Sequence, residues 1–330
     1  MPQTARAWWL SSKSCTTRDS IPTTCSTTKS PRTITDLITI TGPTATGKTA
    51  VAAQLAYLLG SSILSADSRQ VYRGMDLGTG KDLSEYTVEG TRVPYYLIDI
   101  CEPGERYNLH RYLTDAHAVL DQFPDSPPPI LCGGTGLYVE SLVRGYELST
   151  APENLELREQ LGHCSLQELQ EQARGLPVED PQNPRRLIRA IEVDRYFKEQ
   201  GRPPEVISRP PMRGPVFCID VSREVRRARI SARLRSRLQE GMIEEVERLL
   251  EQVTPEQLIY YGLEYKYVTE YVIGKRTYEE LVRDLEIAIH QFAKRQMTWF
   301  RGMERRGIQV TYIRPLDTPR ATADYIRSLL

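Results

Sequence analysis

The segment Gly42-Pro43-Thr44-Ala45-Thr46-Gly47-Lys48-Thr49 fits the pattern G-x-x-x-x-G-K-[ST]. It lies between the β-branched run Leu37-Ile38-Thr39-Ile40-Thr41 and the helical pattern Ala50 to Leu59. A strand, a glycine loop and a helix in that order constrain the fold more than any other feature of the chain. Backbone N–H groups around such a loop point into one concavity at a helix N-terminus, where a polyphosphate binds. Lys48 adds a cation, and the Thr49 hydroxyl is a candidate ligand for magnesium. The loop alone leaves open whether the phosphate is transferred, hydrolysed or expelled.

Further strands are expected at Ser62-Ile63-Leu64-Ser65, at Tyr95 to Ile100 and at Ile130-Leu131-Cys132, with helical spacing from Asn108 to Phe123 before the prolines at 127 to 129. Strands alternating with helices imply a parallel sheet with ligands at the carboxyl ends of its strands. From about Arg144 to Pro211 the pattern turns helical and polar, with Pro203, Pro204, Pro210 and Pro211 as punctuation. The strand Val216 to Val221 returns to the core. Long helices follow at about Arg223 to Glu240, Ile243 to Gln252 and Tyr278 to Arg301, then a strand at Gln309 to Ile313 and a short helix. The expected fold is α/β: a P-loop NTPase-like parallel sheet flanked by helices (34–143 and 212–330) with an inserted α-helical lobe (144–211).

Residues 1–33 are rich in Ser and Thr, carry Asp19 as their one acid and lack periodicity. They read as a disordered extension, with an organellar transit peptide as the alternative. No apolar run approaches the roughly 20 residues of a bilayer helix, so a soluble protein without membrane contact is expected; the scattered cysteines suit a reducing cytoplasm, and a monomer is expected. The six cysteines show no C-x-x-C spacing, against a zinc ribbon or a disulfide scaffold. Basic and acidic side chains balance at 43 each, so any nucleic-acid footprint must be local.

Asp67, in Ser65-Ala66-Asp67-Ser68-Arg69-Gln70, follows the second strand, where a carboxylate can take a proton from an attacking nucleophile or serve as a turn former. Asp99 reads as a magnesium-associated acid of the Walker B type or as a strand-end cap. Gly133-Gly134-Thr135-Gly136-Leu137-Tyr138 is a second glycine turn, whose Thr135 could reach the same crevice. Three basic clusters stand out. Arg185, Arg186 and Arg189 lie in the lobe; Arg226, Arg229, Arg233 and Arg237 share one face of a helix; and Lys294, Arg295, Arg301, Arg305 and Arg306 interleave with Phe292, Trp299 and Phe300, as phosphate contacts with stacking require.

Taken together, G-P-T-A-T-G-K-T, S-A-D-S-R-Q-V-Y-R-G-M-D-L-G-T-G-K, L-C-G-G-T-G-L-Y, R-R-L-I-R-A-I-E-V and K-R-Q-M-T-W-F-R resemble the tRNA dimethylallyltransferase (isopentenylpyrophosphate transferase) family of bacterial type, over Leu37 to Ile313. The resemblance implies that the loop, Gly42 and Pro43 through Thr44, Ala45, Thr46, Gly47, Lys48 and Thr49, binds the diphosphate of dimethylallyl diphosphate with Mg2+ at Thr49. It implies Asp67 as general base, Thr135 beside the reacting adenine, and Lys48 and Arg229 on the departing diphosphate. It also implies that the anticodon stem-loop of tRNA is held by Asp67, Ser68, Arg69 and Gln70, by Arg185, Arg186, Leu187, Ile188 and Arg189, and by Lys294, Arg295, Gln296, Trp299 and Arg301. Two features depart from the family. No cysteine follows Cys218, so the eukaryotic zinc finger is absent, and Tyr261-Gly262-Leu263-Glu264-Tyr265-Lys266 replaces an arginine-containing G-Y-R segment. A small-molecule kinase, an isopentenyltransferase of free AMP, ADP or ATP, and a nucleotide-gated RNA-binding protein are the competing readings.

Overall fold

The structure, a computed structural model, describes residues 35–122 and 127–330. The extension expected at 1–33 lies outside them. In chain order the elements are β1 (Ile38–Thr41), α1 (Lys48–Leu59), β2 (Ile63–Ser65), the ribbon β3 (Thr87–Val88) and β4 (Thr91–Arg92), β5 (Tyr95–Tyr96), α2 (Leu109–Leu120), β6 (Ile130–Gly133) and α3 (Gly136–Arg144). Then come β7 (Glu147–Ser149), α4 (Leu155–Gly162), α5 (Leu166–Gln172), α6 (Pro184–Glu199), β8 (Val206–Ser208), β9 (Val216–Ile219), α7 (Arg223–Gln239), α8 (Met242–Leu250), α9 (Pro255–Tyr260), α10 (Leu263–Val272), α11 (Tyr278–Arg305), β10 (Val310–Ile313) and α12 (Pro319–Ser328).

Six strands form one parallel sheet in the order β10-β9-β1-β6-β2-β5. β1, β6 and β9 are buried along their whole length, as expected of central parallel strands covered on both faces. One apolar layer on the sheet joins Ile40, Val51, Leu55, Ile63, Ile219 and Ile326, with α1 packed against α12. The other gathers Leu131, Val139, Leu234, Val246, Val268, Leu285 and Phe300 under α3, α7, α8, α10 and α11.

The third strand is shorter than the sequence suggests. Leu97 and Asp99 have φ of 64° and 56°, so the chain leaves the sheet after Tyr96. Residues 99–101 turn their amides to Gln70 and Val71 instead, which ties this segment to the loop after β2. Between β6 and β9 the chain leaves and returns through the antiparallel pair β7 and β8, and α4, α5 and α6 enclose a small core of Leu157, Leu161, Leu169, Leu187 and Ile191. The expected helical pattern of 144–211 gave no hint of that ribbon. Helices α9 and α10 were not expected either. Among the described residues, no helix is long and apolar enough to cross a membrane.

Candidate active site

Because β1 lies between β9 and β6, with β2 beyond β6, the loops leaving the carboxyl ends of β1, β2 and β6 emerge side by side. The first is the glycine loop. Gly42 (φ 152°) packs on the Ile219 carbonyl at the end of β9, where a Cβ would not fit. Gly47 takes the left-handed conformation that opens α1, and Ala45 is held there too, at φ 64°. Thr46 Oγ1 donates to the Pro43 carbonyl across the loop at 3.0 Å. In the second loop, Asp67 Oδ1 accepts the Arg69 amide at 3.0 Å, and the Ser68 amide donates to Thr135 Oγ1 of the third loop at 3.0 Å. The third loop owes its glycines to close approach: a Cβ on Gly133 would fall inside the Ala66 backbone, and one on Gly136 inside the Trp299 ring.

These loops line a cavity of about 600 Å³. Thr44, Lys48 and Thr49 lie on its wall with Asp67, Ser68 and Thr135; Gly78, Thr79, Gly80, Asp82 and Glu85 also line it, with residues of α7, α10 and α11 and of the segment Ile259 to Gly262. The 78–80 wall is fixed from behind. The buried Glu245 accepts the amides of Asp76, Leu77 and Gly78 at 2.8 to 3.0 Å and the Tyr265 hydroxyl at 2.7 Å. Gln70 Nε2 donates to the Gly80 carbonyl at 3.1 Å.

The cavity is densely charged. Burial lowers the pKa of Lys48, and the Cys132 thiol and Asp67 carboxylate act in the opposite sense. Burial also brings Arg233 down to about 10, with Arg237 adding to the fall. Glu85 and Glu264 are both pushed up by burial, although Arg233 and Arg237 sit near enough to pull them down. The site is therefore a set of opposed, partly dehydrated charges into which a polyanion can enter.

The sequence-derived site divides on this geometry. Thr44, Ala45, Gly47, Lys48, Thr49, Asp67, Ser68, Arg69, Gln70, Thr135, Arg295, Gln296 and Trp299 all reach the one cavity. Arg229 does not. It is exposed, and its Nη1 meets the Thr46 carbonyl at 3.5 Å from outside the lining. One turn on, Arg233 donates to Thr44 Oγ1 and lines the cavity, as does the buried Arg237. At 3.6 residues per turn, the four-residue spacing puts Arg229, Arg233 and Arg237 on one face, and only the tilt of α7 decides which end meets the loop.

In α6, Leu187 is 1% exposed within the small core and Ile188 packs against that core, so neither side chain is presented to a ligand. Arg189 donates to Glu192 at 2.6 Å and to the Ala151 carbonyl at 2.8 Å, an internal role, whereas Arg185 and Arg186 are exposed. Lys294 and Arg301 are exposed and lie outside the cavity lining. Gln296 is buried and hydrogen-bonded within the protein. The carboxylate of Asp99 lies outside the cavity lining and pairs with the buried Lys81, which also holds Asp76 at 2.8 Å. Sequence reasoning missed Arg233, Arg237, Glu85 and Glu264 as cavity residues; the arginine face of α7 was a signal for the first two and the departure from G-Y-R for Glu264, while Glu85 gave none.

Fold and cavity together define a P-loop-type α/β enzyme that works at the carboxyl edge of its sheet. The family model described as IPP transferase matches residues 70–303, and that described as Isopentenyl transferase matches residues 35–101. A tRNA dimethylallyltransferase of Parabacteroides distasonis is 52% identical over 284 residues, covering 84% of this chain and 92% of that protein. One from Syntrophotalea carbinolica is 44% identical over 288 residues, covering 84% and 94%. Among solved structures, the full-length tRNA isopentenylpyrophosphate transferase of Bacillus halodurans superposes with a TM-score of 0.65 at 29% identity, covering 89% of this chain and 96% of that one. A eukaryotic dimethylallyltransferase acting on tRNA shares the fold at TM-score 0.69 and 20% identity, covering 88% and 77%. The chain belongs to the IPP transferase family, a family of prenyltransferases.

Proposed function

We propose that the protein transfers a dimethylallyl group from dimethylallyl diphosphate to the exocyclic amine of the adenine 3′ of the anticodon, adenosine-37, in tRNA. The products are N6-dimethylallyladenosine and diphosphate. The observation that carries this reading is one cavity of about 600 Å³ that joins the phosphate cradle at Thr44, Lys48 and Thr49 to Asp67 and Thr135. That volume suits a five-carbon diphosphate together with a nucleobase. The names of the relatives and of the solved neighbours support the same acceptor and donor.

In this reading the allylic C1–O bond breaks with its electron pair leaving on the diphosphate, whose charge Lys48, Arg233 and Arg237 neutralise. The adenine nitrogen forms the new N–C1 bond and its proton passes to the Asp67 carboxylate. The lone pair of that amine is delocalised into the ring, so orientation and hydrogen bonding to Asp67 matter more than full deprotonation. The Thr135 hydroxyl, held by Ser68, lies on the acceptor side. An adenine must leave its stack to enter, at a cost of a few kcal/mol that phosphate contacts from Arg69, Arg295 and the exposed cations of α6 and α11 offset.

Among the described residues no group of three His, Cys, Asp or Glu could hold a metal ion. The Thr49 hydroxyl, on the cavity wall beside Lys48, would hold a magnesium ion, which would supply charge neutralisation on the leaving group.

The test is to incubate the protein with magnesium, labelled dimethylallyl diphosphate and, in turn, unmodified tRNA, AMP and ATP. Label in tRNA at the adenine 3′ of the anticodon is expected. Label in AMP or ATP and none in tRNA sinks the acceptor assignment.

A further inference from the structure

The ladder between β1 and β6 runs in register from Ile38 opposite Ile130 to Thr41 opposite Gly133, and it ends there. Beyond that step the two strands become different loops, one cradling phosphate and one carrying Thr135. Nothing in a parallel sheet fixes how far such loops diverge once their strands have ended. In this protein a side chain from a distant helix bridges them. Gln296 of α11 accepts the Thr44 amide through Oε1 at 2.9 Å and donates from Nε2 to the Gly134 carbonyl at 2.9 Å. Gln296 is 8% exposed, and its carboxamide has both its acceptor and a donor engaged.

A carboxamide has the donor and acceptor of a peptide group, so Gln296 links Thr44, three residues past the last pair on the β1 side, to Gly134, one residue past it on the β6 side. The chemistry selects this residue type. Glutamate offers no donor to the carbonyl, asparagine is one methylene short, and lysine has no acceptor for the amide. Gly134 adds an independent sign that the place is built: a Cβ there would lie 2.6 Å from Gln296 Nε2, so the loop keeps a glycine where the carboxamide sits. The next turn of α11 presses Trp299 on Gly136, so the same helix seats the Thr135 loop from both sides.

We propose that Gln296 is a positioning residue that sets the distance between the diphosphate cradle and the Thr135 side of the cavity, and so the distance over which the allyl carbon meets its acceptor. The proposal rests on the transfer reaction above and deepens it: the motif resemblance makes Gln296 a tRNA contact, whereas its hydrogen bonds point inward. The cradle keeps its own internal bond from Thr46 to Pro43, so it binds diphosphate without the bridge. What the bridge supplies is alignment, and misplacement of reacting groups by about 1 Å costs on the order of 100-fold in rate.

The experiment compares wild-type protein with Gln296→Met, which keeps the length of the side chain and removes both hydrogen bonds. Initial rates are measured with varied dimethylallyl diphosphate and varied tRNA, and binding of inorganic diphosphate with magnesium is measured by calorimetry. The expected result is a kcat lower by roughly 10- to 100-fold, with both KM values and the diphosphate Kd within about threefold of wild type. A kcat within about twofold of wild type overturns the proposal, as does a tRNA KM raised about tenfold with kcat unchanged, which would make Gln296 a substrate contact. Should Gln296→Met fail to fold, Gln296→Glu decides. It keeps an acceptor for Thr44 and loses the donor to Gly134, so kcat is expected to fall, and an unchanged kcat again overturns the bridge. Wild-type protein separates the two levels: no transfer to any acceptor sinks the reaction itself, while wild-type transfer with an undiminished variant sinks only the role of Gln296.

Discussion

Replacing Arg233 with methionine, with Arg229→Met alongside, tests how the charged helix meets the phosphate loop. Arg233 lines the cavity and donates to Thr44 Oγ1, while Arg229 is exposed and meets the loop only through a 3.5 Å contact to the Thr46 carbonyl. A cation that touches the loop from inside acts on a bound diphosphate at short range, where a unit charge pair at about 4 Å in an effective dielectric of about 20 interacts by about 4 kcal/mol. Part of that is lost to the dehydration that already lowers the Arg233 pKa to about 10. A net loss of about 2 to 4 kcal/mol on removal, the scale found for fixed donors at developing oxyanions, corresponds to roughly 30- to 1000-fold in kcat/KM. The solvated Arg229 is worth about 0 to 1 kcal/mol, at most about fivefold. Methionine preserves most of the aliphatic bulk, so packing changes little at either position. The assay is steady-state transfer of labelled dimethylallyl to tRNA at fixed salt, with thermal unfolding as a control for folding. A larger loss in Arg229→Met than in Arg233→Met would refute the assignment of leaving-group stabilisation to the inner arginine.

Three further outcomes are expected. Asp67→Asn keeps the acceptor for the Arg69 amide but removes the proton acceptor, so kcat should fall by about 100- to 10,000-fold with tRNA affinity within about threefold; equal losses in turnover and filter binding would remove the base. Burial holds the Glu264 pKa above its ordinary value of 4.5, so the folded state binds that proton more readily than the unfolded chain. The resulting destabilisation grows as pH rises above the unfolded value and is lost as pH falls through the raised folded value toward the unfolded one. Glu264→Gln should therefore raise the Tm at pH 7 by more than at pH 5, and a pH-independent difference would contradict this. Gly133→Ala drives a methyl group into the buried Ala66 backbone, which cannot yield, and should cost at least about 2 kcal/mol in urea unfolding; wild-type stability would show that the two loops are not so closely packed.

Much of the site was legible before any tertiary structure. The Gly42 to Thr49 loop, Asp67 and Thr135 each follow a strand, and adjacency of strand ends in a parallel sheet is enough to bring such residues to one crevice. Residues arriving from helices were read less well. The arginine face of α7 was visible as a periodic pattern, but periodicity does not say which turn of the helix meets the loop, and Arg233 rather than Arg229 lines the cavity. Leu187, Ile188 and Arg189 resembled a binding segment because they share a motif with Arg185 and Arg186, yet a single turn of helix must face both the small core and the surface.

The sequence by itself determined the strand, loop and helix order, the glycine loop and the carboxylate that shares its cavity, because those depend on local backbone preference and on alternation of elements along the chain. Tertiary structure decided the inward turn of Gln296, the pairing of Asp99 with Lys81, and the gathering of Glu85, Glu264, Arg233 and Arg237 around one cavity. Those are contacts between residues far apart in the chain. Their partners are chosen by how helices lie across the sheet, which is set by side-chain packing over the whole core and leaves no local signature.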